Sequence, residues 1–241
     1  MSTARIDVFF SPEELRRELT GRVAVVIDVL RATSTIVEAM ANGAKSIFPV
    51  ETTEDAVRLK QTLDRDDVLL SGERRARPIE GFDLGNSPRE FTPEVVSDKI
   101  IIMTTTNGTP ALIRGGSADR CIVASFANLD AVAAELAETD KRVALMCAGR
   151  EGRFALEDAL FAGTLIRSVR ARRSGTVGLN DAGFAAAALE RRYRAHLSSV
   201  ISNTRAARQI RDAGLIEDVA YCLTPNRHTV VPVMSDRHIG L

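Results

Sequence analysis

The sequence predicts an α/β fold, layered α/β/α around a largely parallel or mixed sheet, as a compact two-lobed chain with a helix-rich C-terminal part. Three observations carry this expectation. Short β-branched runs alternate with helical patterns through the first two-thirds of the chain. Several of those runs are continuously apolar, the pattern of strands covered on both faces. After Phe154 the pattern changes to a helix-rich stretch through Ala213, with no Pro/Gly/Ser linker before it. The expected organisation is therefore one unit over residues 1–241, with a composition shift near residue 150.

The elements follow in order. Strands are expected at IDVFF from Ile6, RVAVVIDV from Arg22, KSIFPV from Lys45 and DVLLS from Asp67. Others are expected at KIIIMT from Lys99, DRCIVAS from Asp119 and KRVALMC from Lys141. The helices between them have legible starts. Ser11-Pro12-Glu13-Glu14 combines an N-cap serine, a proline at the first helical position and a capping-box glutamate. Residues Thr53 to Leu63 carry Ala56, Leu59 and Leu63 at helical spacing. Asn128 caps a helix running to Leu136. AGFAAAALERRYRAHL and TRAARQIRDAG make the C-terminal helices, and HTVVPVMS after Pro225 reads as a last strand.

Composition excludes several function classes. Lys+Arg and Asp+Glu both total 32, for a formal net charge of +0. A nucleic-acid binder would show a basic excess or stripe, so no nucleic-acid partner is expected. A membrane span needs roughly 20 consecutive apolar residues, and runs such as VAVVI are far shorter, so no membrane partner is expected either. The N-terminus lacks the pattern of a secretory signal. Cys121, Cys147 and Cys222 stand apart without a CxxC pair, which points to reduced thiols and a cytoplasmic location. A homodimer is compatible with these features. His196, His228 and His238 lack zinc-enzyme spacing, and no GxSxG, GxGxxG or Walker A motif is present.

Four segments hold polar residues that a purely structural chain would have little use for. In AVVIDVLRATST, Asp28 ends an apolar strand, and Arg31, Thr33 and Ser34 lead into a helix. Ligands of open α/β sheets bind at such strand ends, where a carboxylate can hold a hard cation and helix N-termini meet anions. The structural alternative pairs Asp28 with Arg31 and spends the hydroxyls on capping. A dehalogenase-type phosphatase is excluded, because Leu30 occupies the place of its second aspartate. The second segment, SGERRARPIEGFDLGNSP, reads as a long loop offering Glu73, Arg74, Asp83, Asn86 and Ser87 as cation ligands and anion donors.

The third, MTTTNGTPAL, ends a strand in threonines and opens a helix at Asn107-Gly108-Thr109. Glycine permits close backbone approach there, and the helix start offers free N–H groups, so it reads as an anion cradle. The fourth, CAGREGRFALEDALFAG, leads into a helix that is apolar around most of its circumference yet contains Glu157 and Asp158. Buried carboxylates are costly unless they are paired or coordinate a metal.

Taken together, the runs VVIDVLRATST, GERRARPIEGFDLGNSP, TTTNGT and CAGREGRFALEDALFAG resemble the 2-phosphosulfolactate phosphatase family in content and order. The resemblance extends from about Ala24 to Gly163. It implies a Mg²⁺-dependent phosphatase converting (R)-2-phospho-3-sulfolactate, a small anionic phosphorylated substrate, to sulfolactate and phosphate, a step of coenzyme M synthesis. On that reading Asp28, Glu157 and Asp158 are the candidate Mg²⁺ ligands. Glu73 adds a fourth oxygen or acts on water. Arg31, Arg74, Asn107, Gly108 and Thr109 meet the substrate's anionic groups, with Thr33 and Ser34 beside them. Either water or Asp28 attacks phosphorus, with Asp28, Arg31 and Glu73 as the catalytic candidates. The Arg75-Ala76-Arg77 stretch stands where the family loop has small residues. Two other readings are a broader phosphatase of 2-phospho-hydroxy acids and a non-catalytic binder of Mg²⁺ and an anionic metabolite.

Overall fold

The computed structural model describes residues 4–15 and 18–241. Among these residues, eleven strands form one mixed sheet. They are β1 (Ala4–Phe9), β2 (Arg22–Ile27), β3 (Ser46–Pro49), β4 (Val68–Arg74), β5 (Arg77–Pro78) and β6 (Ile100–Thr104). β7 (Arg120–Ala124), β8 (Arg142–Cys147), β9 (Val177–Leu179), β10 (Val233–Ser235) and β11 (His238–Gly240) complete it. The helices are α1 (Ala32–Ala41), α2 (Thr53–Leu63), α3 (Pro93–Val96), α4 (Gly108–Gly115) and α5 (Leu129–Glu138). They continue with α6 (Leu156–Arg172), α7 (Asp181–Tyr193), α8 (Leu197–Ser202), α9 (Arg205–Asp212) and α10 (Glu217–Leu223).

The sheet order is β5-β4-β6-β3-β11-β10-β7-β2-β8-β1-β9. β4, β6 and β3 form one parallel block, and β7, β2, β8, β1 and β9 form another. The β10–β11 hairpin joins them through three antiparallel pairings, so the two blocks run in opposite senses. The α/β layering and mixed sheet expected from the sequence are observed.

Side chains alternate across a strand, and both faces here are covered. Val23, Val25 and Ile27 of β2 join Leu129, Leu160, Phe161 and Ile166 in one core. Ala24 and Val26 of the same strand join Ile36, Met40, Leu112 and Met103 in a second core on the other face. A third, smaller core packs Ala56 of α2 against Val68, Leu70, Ile100 and Ile102. This two-sided burial is why the strands read as unbroken apolar runs. Among the described residues, no helix is long and apolar enough to cross a membrane. All three cysteines are free and buried.

Several boundaries differ from expectation. The Ser11 motif starts only a 3₁₀ turn, Pro12–Glu14, in which the Ser11 hydroxyl accepts from the Glu13 amide. Glu14 reaches the Phe10 amide instead of closing the box on Ser11. Any continuation across 16–17 lies outside the described residues. Asn128 precedes α5, but its carboxamide closes the preceding turn on the Ser125 amide and bonds the Val123 and Val230 carbonyls. The segment from Ser71 begins as strand, because Ser71, Gly72 and Glu73 continue β4 alongside β6 and β5. HTVVPVMS forms strand only from Val233, and β11 turns back on it.

Candidate active site

The loops that leave β2, β4, β6 and β8 converge on one cleft. Its wall includes Asp28, Arg31, Glu73, Arg75, Asn86, Thr106, Asn107 and Arg150, with Gln209 from α9 closing one side. All four segments singled out in the sequence contribute to it.

Asp28 lies at its centre, in the turn between β2 and α1. The turn is held by its own polar atoms: the Thr33 hydroxyl donates to the Asp28 carbonyl at 2.8 Å, and Ser34 donates to the Val29 carbonyl at 2.9 Å. Both hydroxyls are buried and spent on the backbone. Thr33 and Ser34, expected beside the substrate's anionic groups, shape the turn and are not among the residues lining the cleft. The start of α4 abuts the same turn. A side chain on Gly108 would meet Ala32 Cβ at 2.4 Å and Asp28 Oδ2 at 2.8 Å. Only glycine allows this approach, and it sets the N-termini of α1 and α4 together beside the Asp28 carboxylate. Thr109 and Thr105 close the α4 turn reciprocally, each hydroxyl accepting from the other's amide. Thr109 is thus a turn-closing residue, while Asn107 lines the cleft and accepts from the Glu151 amide at 2.8 Å.

Glu73, at the end of β4, is buried and accepts from the Ala76 and Thr106 amides at 2.8 Å each. These bonds tie the β4–β5 turn to the β6–α4 turn and fix the carboxylate toward Asp28. Arg74 is exposed, donating to the Glu73 carbonyl and to Thr104. Its expected place on the cleft wall is taken by Arg75. β4 ends at Arg74, and Arg75 and Ala76 form the β4–β5 turn with left-handed backbone (φ 53° and 66°), which redirects the Arg75 side chain relative to Arg74.

Arg31 does not pair with Asp28. It is buried, donating to Asp218 at 2.6 Å and to the Ala76 carbonyl at 2.9 Å, and Ser87 donates to the other Asp218 oxygen at 2.7 Å. Breaking one partner of such a buried pair costs about 3–5 kcal/mol. Arg31 thereby ties the Asp28 turn to α10, a link between residues 187 apart in sequence. Asp83, another expected ligand, is held by Lys60 and the Leu70 amide.

Glu157 and Asp158 are buried at the start of α6. Asp158 accepts from the Val29 amide at 3.0 Å and the Gly149 amide at 3.2 Å, joining the β2 and β8 turns. Glu157 faces an adjoining cleft with Arg153, Thr204 and Arg205. The carboxylates perturb one another. Burial, then the charges of Glu73 and Glu157, pushes Asp28 up to about 7 against the pull of the Ala32 amide and Arg31. Burial and the charges of Asp28 and Glu157 hold Asp158 well above the usual carboxylate range, against the Val29 and Gly149 amides. Burial also raises Glu157, opposed by its own amide, Thr204 and Arg150.

Two buried polar atoms on the cleft wall have no hydrogen-bond partner among the described residues, Asn86 Oδ1 and Arg150 Nε. Asn86 was among the loop candidates. Arg150 lay inside the CAGREGR run, but its role needs Gln209, which accepts from its guanidinium across 59 residues of sequence.

A match to the 2-phosphosulpholactate phosphatase family model spans residues 9–237. The chain belongs to this family. Similar proteins named probable 2-phosphosulfolactate phosphatase include one from Caldanaerobacter subterraneus subsp. tengcongensis, 39% identical over 91% of this chain and 90% of its own. One from Symbiobacterium thermophilum is 40% identical over 93% of this chain and 96% of its own. One from Thermotoga petrophila is 41% identical over 88% and 89%. The family match covers all four segments that build the cleft.

The expected ligand set Asp28, Glu157 and Asp158 is not a ready-made cage. Among the described residues, no three acidic, histidine or cysteine side chains come together as a metal cluster. Asp158 is committed to two amides, and Glu157 faces the adjoining cleft. Mg²⁺ needs only one or two carboxylates, with waters and substrate phosphate filling the rest. Asp28 with Glu73, both buried on one cleft wall beside the unpartnered Asn86 Oδ1, fits that donor chemistry.

Proposed function

We propose that the chain is a Mg²⁺-dependent phosphatase that hydrolyses (R)-2-phospho-3-sulfolactate to sulfolactate and phosphate, the type of step used in coenzyme M synthesis. The observation that carries this reading is the meeting of the α1 and α4 N-termini beside Asp28, in a cleft that also holds Glu73 and an arginine N–H with no partner among the described residues. Helix N-termini favour anions, and the first-turn N–H groups lack intrahelical partners. The phosphate therefore docks at the start of α4, on the backbone near Asn107 and Gly108.

Asp28 and Glu73 are the residues that hold Mg²⁺ in this reading, with Asn86 Oδ1 as a neutral oxygen beside them. When bound, the ion supplies Lewis-acid charge for the phosphoryl oxygens and lowers the pKa of water. Asp28, which makes no side-chain ion pair among the described residues, is the carboxylate that accepts a proton from attacking water or attacks phosphorus itself. Glu73 is held by two amides, which suits a fixed ligand better than a moving base. Arg31 and Asp158 position the Asp28 turn, Arg31 through Asp218 and Asp158 through the Val29 and Gly149 amides. The free buried cysteines support a cytoplasmic setting.

The test is phosphate release from phosphosulfolactate, phospholactate and phosphoglycolate, each with Mg²⁺ and with EDTA. Mg²⁺-dependent release strongest with phosphosulfolactate is expected. Comparable rates on all three would replace the reading with a broader phosphatase of 2-phospho-hydroxy acids. Binding without release would make the chain a non-catalytic binder.

A further inference from the structure

Arg150 stands where the Asp28 cleft and the adjoining cleft meet, since it lines both. One of its terminal nitrogens donates to Gln209 on α9, while its buried Nε has no hydrogen-bond partner among the described residues. An unpartnered buried donor on a charged group is costly, and a ligand oxygen in the cleft would satisfy it. The guanidinium fork matches an oxyanion with two or three equivalent oxygens. Gln209 takes one N–H and fixes the plane of the fork, which reduces the entropy lost when a ligand binds. Arg31 and Arg75 add positive charge to the same cleft, against Asp28, Glu73 and Glu151, and Arg153 and Arg205 to the next, against Glu151 and Glu157.

We propose that Arg150, oriented by Gln209, forms a second anion subsite that binds the sulfonate of the substrate. This rests on the phosphatase reading above. Arg150 is then a specificity residue, and Gln209 is a positioning residue that acts through it.

The test compares kcat and KM on phosphosulfolactate and phospholactate, which lacks the sulfonate. It also measures binding of 3-sulfolactate and of inorganic phosphate by calorimetry. In Arg150→Gln, the kcat/KM preference for phosphosulfolactate should fall about tenfold or more, the size expected for a lost charge-assisted hydrogen bond. Most of that loss should lie in KM, and 3-sulfolactate should bind more weakly by a similar factor. Gln209→Ala should shift the preference in the same direction through KM with kcat retained, and Gln209→Glu, whose carboxylate neutralises the guanidinium, should shift it further. Equal losses on both substrates, or unchanged 3-sulfolactate binding in Arg150→Gln, would overturn the subsite. If wild type releases no phosphate yet binds 3-sulfolactate through Arg150, the phosphatase reading fails and the subsite stands.

Discussion

Replacing Asp28 by Asn should make the metal-free protein more stable while abolishing most turnover. Burial and neighbouring carboxylates raise Asp28 from 3.8 to about 7, and each tenfold change in proton affinity corresponds to ~1.4 kcal/mol. The sign follows from linkage. A carboxyl whose folded-state pKa is raised contributes stability fully present below its unfolded pKa, near 3.8, and lost as pH rises through about 7. At pH 7.5 the folded protein therefore carries a penalty that Asn does not, and Asp28→Asn should gain about 2–4 kcal/mol. At pH 5 the gain should shrink to about 1–2 kcal/mol. Mg²⁺ should narrow the gap at a hundredfold excess over Kd and close it near a thousandfold excess, because an ion bound only to the folded state stabilises wild type by about 2.7 and about 4.1 kcal/mol respectively. The Asn variant loses the charge that holds it. Urea unfolding at pH 5 and 7.5, in EDTA and in Mg²⁺, measures all of these quantities. An Asn variant less stable than wild type in EDTA at pH 7.5, with an unchanged gain from Mg²⁺, would refute the reasoning.

Asp158→Asn should weaken both turnover and Mg²⁺ stabilisation, since its oxygens hold the Val29 and Gly149 amides around the Asp28 turn. Glu157→Gln should have a smaller effect because that carboxylate faces the adjoining cleft; thermal unfolding with and without Mg²⁺ separates the two, and equal Mg²⁺ gains with full turnover in both variants would remove the pair from the site. Gly108→Val should cost about 2–4 kcal/mol by overpacking the Ala32 contact and should raise KM through the displaced α4 start. Chemical denaturation and steady-state kinetics check both, and an unaltered KM would reduce the turn to a helix cap.

The fold was legible where burial leaves a periodic trace. Val25 and Ile27 pack on one core and Ala24 and Val26 on the other, so β2 reads as a continuous apolar run in sequence. β9 and β11 left no such trace: each is three residues long, and each is strand only through its pairing, β9 with β1 and β11 with β3 and β10. Much of the site was legible for a chemical reason, since Asp28, Glu73, Glu157 and Asp158 are carboxylates set among apolar or loop residues. The partners that fix the site were not. Arg31 meets Asp218, and Arg150 meets Gln209, over separations that no local pattern encodes. The exchange of Arg74 for Arg75 depends on a left-handed two-residue turn between β4 and β5 inside what reads as one long loop. The hydroxyls of Thr33, Ser34 and Thr109 were legible as polar groups near the site, but their hydrogen bonds to backbone appear only in three dimensions.

The most direct test of the central claim is phosphate release from phosphosulfolactate by wild type and Asp28→Asn, followed through addition of Mg²⁺, then EDTA, then excess Mg²⁺. Wild type should release phosphate, stop on chelation and resume, while the Asn variant stays near background throughout. Release by the variant at the wild-type rate, or wild-type release untouched by rigorous chelation, would contradict an Asp28-centred, Mg²⁺-dependent phosphatase.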